Sequence, residues 1–152
     1  TPLGETIRSL LLSSDYTITS RAELLLFLAS RAQHVEEVIA PHLEKGLDVL
    51  CDRFTDSSLA YQGVGRSLDV DTVCDFGAHS LIPDTTFYLD LDPAIGLART
   101  TTSDRLENES LAFHTRVREA FLALAKRHSD RIHVLDASQP PEAVLEQARK
   151  LL

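Results

Sequence analysis

Residues 47–53 read Leu47-Asp48-Val49-Leu50-Cys51-Asp52-Arg53, a short apolar run that ends on a carboxylate and a guanidinium. A run this short, closed at once by charge, has the pattern of a buried strand. Asp84 to Leu91 predicts a second strand, with Thr85, Thr86, Phe87 and Tyr88 supplying β-propensity, and Arg131 to Ala137 a third. The intervals have helical spacing. Leu3 to Leu12 is apolar at 3, 7, 10 and 11. Ser20-Arg21-Ala22-Glu23 has the form of a capping box, and its helix carries Leu24, Phe27, Leu28, Ala32, Val35 and Val38 before Pro41 interrupts it and Gly46 ends it. A short helix is expected between Asp69 and Leu81. Asp92-Pro93 opens another. Asp104-x-x-Glu107 forms a second capping box, whose helix runs through Leu106, Ser110, Phe113, Val117, Phe121 and Leu124. Pro140-Pro141 starts a last helix ending near Leu152. Strands alternating with helices predict one α/β domain, or most of one, around a parallel sheet.

The chain has 152 residues, 43% hydrophobic and 25% charged, enough for one buried core. Fifteen Lys+Arg against 23 Asp+Glu leave a net charge of −8. That argues against a general binder of nucleic acid or anionic membrane, whose affinity comes from neutralising phosphates. No apolar run approaches the ~18 residues of a membrane span, and no signal-peptide pattern opens the row. Cys51 and Cys74 are too few for a disulfide scaffold, so a cytoplasmic setting is expected. The six histidines have no metal-ligand spacing.

In open parallel sheets, ligands bind at the carboxyl ends of strands. Asp52, delivered there by the first strand, could hold Mg²⁺ bound to a nucleotide, and Arg53 could grip phosphate. The plainer alternative is an N-cap Asp beside a solvated Arg. Phe27 and Arg31, four apart, share one helix face. A ring and a guanidinium so placed could stack on a base and hydrogen-bond its edge. By geometry alone Phe27 could equally be a core residue.

Together these stretches resemble the thymidylate kinase family of the bacterial type. Leu24-Leu25-Leu26-Phe27-Leu28-Ala29-Ser30-Arg31-Ala32-Gln33 resembles the family's thymine-reading helix. Asp52-Arg53-Phe54 and Ala60-Tyr61-Gln62-Gly63, with Gly65-Arg66 after them, resemble its Asp-Arg-aromatic motif and Ala-Tyr-Gln-Gly loop. Pro83-Asp84-x-Thr86-x-Tyr88-Leu89-Asp90 is similar to its fourth strand, Asp104-Arg105-Leu106-Glu107 to the end of its lid, and Asp136-Ala137-Ser138-Gln139-Pro140 to its adenine-side loop. The resemblance implies a P-loop NTPase-like parallel sheet with helices on both faces. It also implies the reaction ATP + dTMP → ADP + dTDP with Mg²⁺, and a homodimer formed through helices 20–40 and 105–125. Phe27 would stack on thymine, Arg31 would bond its edge, and Ser57, Tyr61 and Gln62 would complete the nucleoside pocket. Arg53 would contact the dTMP phosphate and Asp52 the Mg²⁺. Arg53, Arg99 and Arg105 would stabilise charge on the transferring group, with Ser138 and Gln139 beside the adenine.

One family motif is not in the row. Gly-x-x-x-x-Gly-Lys-Ser/Thr needs a lysine preceded by glycine, and Lys45, Lys126 and Lys150 do not qualify. The row also lacks Met and begins Thr1-Pro2. The expectation is therefore a longer protein whose first strands and P-loop precede residue 1, with residues 1–152 alone inactive. The segment 69–81 and the lid 99–105 also read short for the family. Two rival readings are a P-loop-less nucleotide-binding module and a related nucleoside or nucleotide kinase of other base preference.

Overall fold

A computed structural model describes residues 1–69, 73, 81–100 and 104–152. The helix expected between Asp69 and Leu81, and the middle of the 99–105 segment, lie largely outside the described residues.

Helix α1 spans Pro2–Leu12, its first turn closed by the Thr1 hydroxyl, which accepts from the Gly4 amide at 3.0 Å. It buries Ile7 and Leu11 against α2 (Ser20–His34), whose Leu24 is fully buried. At Pro41 the sequence predicts a break. The structure absorbs that proline by widening the preceding turn to π geometry over Val35–Ile39, and α3 (Ala40–Leu43) continues the axis. A proline ring crowds the carbonyl one turn back, and a π turn moves that carbonyl aside. Gly46, at φ +72°, then turns the chain out of the helix.

Strands β1 (Thr86–Asp90) and β2 (Ile132–Asp136) pair in parallel, Thr86 opposite Ile132 and Asp90 opposite Asp136. Helix α6 (Leu111–Arg127) packs across them and across α4 (Thr55–Ser58), which runs on into a π-helical segment, Leu59–Gly65. The core they enclose is Ala60, Phe113, Val117 and Ala120, with Tyr61 and Phe121 against it. At Gly65 the chain lies so close to the side chains of α6 that a Cβ would meet the Phe113 ring at 2.9 Å. The remaining helices, α5 (Pro93–Arg99) and α7 (Pro141–Arg149), follow β1 and β2, and the Asp92 carboxylate caps α5.

Three sequence expectations are corrected. Residues 47–51 have no regular secondary structure and join no ladder among the described residues, and Leu50 is 98% exposed. An apolar extended run becomes a strand only where a neighbour takes its backbone bonds. The box expected at Ser20/Glu23 does not cap α2. Thr19 is the N-cap, and the Glu23 carboxylate turns inward. The Asp104/Glu107 box does form, with Asp104 Oδ1 accepting from the Glu107 amide at 2.9 Å. It closes a separate turn, however, and α6 begins at Leu111 under its own cap, Ser110.

Candidate functional site

Glu23, Phe27 and Arg31 lie at four-residue steps along α2 and so form one stripe. Ser58 and Gln62, also four apart, face it from the α4–π segment. Two hydrogen-bonded rungs join the two elements in antiparallel sense. At one end the Gln62 amide nitrogen donates to Glu23 Oε1 at 2.9 Å. At the other, Arg31 Nη2 donates to Ser58 Oγ and to the Phe54 carbonyl, both at 2.9 Å. Half-buried Phe27 sits between the rungs in the stripe. The Arg31 guanidinium lies 5.4 Å from the Phe54 ring centroid, and its Nη1 is buried with no hydrogen-bond partner among the described residues. Burial pulls its pKa down, and Cys51 and Asp56 pull it part of the way back. An orphaned buried donor costs about 1–3 kcal/mol, so a site that keeps one is shaped to meet an acceptor.

Both rungs are held from behind. Glu23, 0% exposed, accepts from Arg66 Nη2 at 3.0 Å and pairs with Arg105 Nη2 at 2.7 Å, while Arg66 also reaches Glu109. Burial pushes the Glu23 carboxyl up, but its bonds to Arg66, Gln62 and Arg105 outweigh burial and hold it below its ordinary value. Under α4, buried Asp56 takes a bidentate bond from Arg131 at 2.7 and 2.8 Å and a third from the Thr86 hydroxyl. This ties the segment to the starts of both strands. Tyr61 is edge-on to Phe113 and Phe121, and Phe121 stacks on Tyr88 at 4.7 Å.

The segment just before α4 is built differently. Asp52 and Arg53 are exposed, Arg53 has φ +63°, and its guanidinium lies 5.1 Å from the Tyr61 ring centroid. A non-glycine residue in that region is uncommon and tends to mark a site where side-chain direction matters. At the carboxyl ends of β1 and β2, Arg99 Nη1 donates to the Ala137 carbonyl at 3.4 Å, while Ser138 and Gln139 bond the Asp136 carboxylate. Mg²⁺ typically takes one or two carboxylates and completes its shell with water and substrate phosphate, and the exposed carboxylate of Asp52 fits that donor set.

The structure thus sets Phe27 and Arg31 on the α2 stripe that faces Gln62 and Ser58, and it places Arg53 over Tyr61. Ser57 lies alongside, but the hydroxyl bonded to Arg31 belongs to Ser58. Arg99, Ser138 and Gln139 form a separate group at the strand ends. Arg105 belongs to neither: its Nε donates to the Leu11 carbonyl and its Nη2 pairs with Glu23. Sequence reasoning missed Ser58, Arg66, Asp56 and Arg131, and it took Glu23 for a capping residue. A glutamate four before Phe27 and eight before Arg31 lies on their stripe. That spacing is the signal that could have found it.

The family model "Thymidylate kinase" matches residues 1–148. The thymidylate kinase of Acaryochloris marina is 44% identical over 167 residues, spanning all of this chain and 72% of its own length. That of Thermosynechococcus vestitus is 49% identical over 158 residues, spanning all of this chain and 66% of its own. Both alignments run longer than the 152-residue chain, so each relative carries residues the chain lacks. The crystal structure of thymidylate kinase from Ehrlichia chaffeensis is 32% identical and superposes with a TM-score of 0.78 over all of this chain and 75% of that one. The parallel strands and their flanking helices accordingly have the architecture of a nucleoside monophosphate kinase of the P-loop class.

Proposed function

The chain belongs to the thymidylate kinase family, and on that premise we propose that it takes part in phosphoryl transfer from ATP to dTMP, giving ADP and dTDP. The observation that carries this reading is the buried, partnerless Arg31 Nη1 beside Phe27, set between two hydrogen-bonded rungs. A flat base stacked on Phe27 would offer that nitrogen a carbonyl acceptor. Ser57, Tyr61 and Gln62 would close the nucleoside pocket, with Ser58 fixing the guanidinium. Arg53, exposed and set over Tyr61, would take the nucleotide phosphate as a bidentate partner.

Asp52 would hold Mg²⁺, which supplies charge neutralisation on the phosphates when bound. What the protein contributes is position: a stacked base, a clamped phosphate and a fixed distance between donor and acceptor. Arg99 beside Ser138 and Gln139 suits the nucleoside triphosphate side. For charge stabilisation Arg99 is the better candidate, because Arg105 is engaged by Glu23 and the Leu11 carbonyl. The reading carries with it a cytoplasmic setting and a homodimer through helices 20–40 and 105–125. Among the described residues, no helix is long and apolar enough to cross a membrane.

The test is a coupled assay of ADP release from Mg·ATP, with dTMP as acceptor, on the intact protein. The expected result is turnover with dTMP well above that with dCMP or AMP. Binding of dTMP with no ADP release would reduce the proposal to nucleotide binding, and the absence of both would overturn it.

A further inference from the structure

Glu23 is a fully buried carboxylate that receives three side chains. Two of them, Arg66 and Arg105, would suffice to balance its charge. The third is Gln62, 3% exposed. An ionised carboxylate can only accept hydrogen bonds, whereas an amide has a donating end and an accepting end. Glu23 therefore determines which end of the Gln62 amide faces it. The nitrogen must point to Glu23, and the carbonyl oxygen is left as the other end. The two guanidiniums keep Glu23 ionised, so the orientation persists across the neutral pH range.

The two rungs lie eight residues apart on α2, about 12 Å along its axis, with Phe27 midway. That interval suits a single flat six-membered ring. On the reading given under Proposed function, Gln62 borders that ring, and what it presents there has a defined polarity. We infer that Glu23 is a specificity-determining positioning residue: by pinning the Gln62 amide nitrogen it presents the carbonyl oxygen to the base, so that an imide N–H is accepted and a ring nitrogen bearing a lone pair is rejected. Thymine and uracil carry the N–H, and cytosine carries the lone pair. Arg66 and Arg105 act one step further back, holding the charge that makes Glu23 an obligate acceptor.

The test is equilibrium binding of dTMP and dCMP by titration calorimetry, read as the ratio of the two dissociation constants. Such a ratio does not move if Glu23 only supports the fold. Glu23→Gln preserves size but can donate as well as accept, which frees Gln62 to flip. The ratio should fall by about tenfold or more, the usual consequence of relaxing one polar discrimination in a buried pocket. In a Gln62→Met background the same Glu23→Gln change should leave the ratio where Gln62→Met alone put it, because Glu23 acts through that amide. A folded Glu23→Gln variant with wild-type selectivity would overturn the inference, as would an equal effect with and without Gln62. Thermal melting accompanies each variant. Should the single change unfold the protein, Glu23→Gln/Arg105→Gln, which removes one charge of each sign, carries the same prediction. The wild-type protein supplies a measurement independent of any variant: it should prefer dTMP over 5-methyl-dCMP, which keeps the methyl group but carries the lone pair, and equal affinities would overturn the inference. Failure of wild-type protein to bind any pyrimidine nucleotide would instead strike the proposed function, so the two failures are distinct.

Discussion

The end of the site proposed to hold the base and the end proposed to hold the phosphate are built on opposite principles. At the proposed base end the polar side chains are cross-linked: Gln62 and Arg31 are fixed by Glu23 and Ser58, and Asp56 and Arg131 brace the segment that carries them. At the proposed phosphate end Asp52 and Arg53 are exposed on a bend where Arg53 takes a positive φ, and Arg53 is steadied by a ring face. The difference follows from what each end is proposed to meet. A base must be told from close relatives, which needs rigid donors and acceptors in a dry setting. A phosphate offers the same charge whatever it is attached to, so one exposed cation serves there and stays accessible to the partner nucleotide.

The comparison breaks most readily at Asp56. Asp56→Ala would leave the Arg131 guanidinium unpaired at 16% exposure, and a urea melt should show a loss of about 3–5 kcal/mol. A loss within ~0.5 kcal/mol would mean the base end is not braced as described. Next comes Arg31→Ala. Removing a buried charged donor should weaken dTMP binding by about 1.5–3 kcal/mol in calorimetry while leaving its salt dependence unchanged. A smaller effect is expected from Glu23 on the pH profile of stability. Its carboxyl sits below the ordinary 4.5 when folded, so its contribution is complete above that value and is lost as pH falls through the lower folded one. Urea midpoints recorded downward from pH 6 should therefore decline below about pH 4.5, and less steeply in Glu23→Gln. Last is Arg53→Ala, an exposed cation. It should weaken dTMP by about 1 kcal/mol, leave thymidine binding unchanged, and flatten the dependence on ionic strength. If thymidine weakened equally, Arg53 would belong to the base end and the contrast would fail.

Much of this was legible in the residues. Strands at 86–90 and 132–136, the helices around them and the shared face of Phe27 and Arg31 follow from local spacing, because periodicity and a four-residue step are properties of neighbours in sequence, whereas Gln62 entered only through the family resemblance. What escaped was decided by long-range pairing. Glu23 reads as a capping residue from Ser20 three positions earlier, and only the fold brings it Arg66 and Arg105 from far along the chain. Asp56 and Arg131, 75 positions apart, carry no sequence mark of their bond. Residues 47–51 have the composition of a strand, but a ladder needs a neighbour, and composition cannot supply one. Ser58, whose hydroxyl meets Arg31, was not singled out, because only the helical rotation between two adjacent serines gives it that partner.

The most direct measurement is a crystal structure of the protein with dTMP. The account predicts the pyrimidine ring stacked on Phe27 between the two rungs, with Arg31 Nη1 now donating to a carbonyl oxygen of the base and the phosphate at Arg53. A ring bound elsewhere, or an Arg31 Nη1 still without an acceptor while dTMP occupies the cleft, would contradict it.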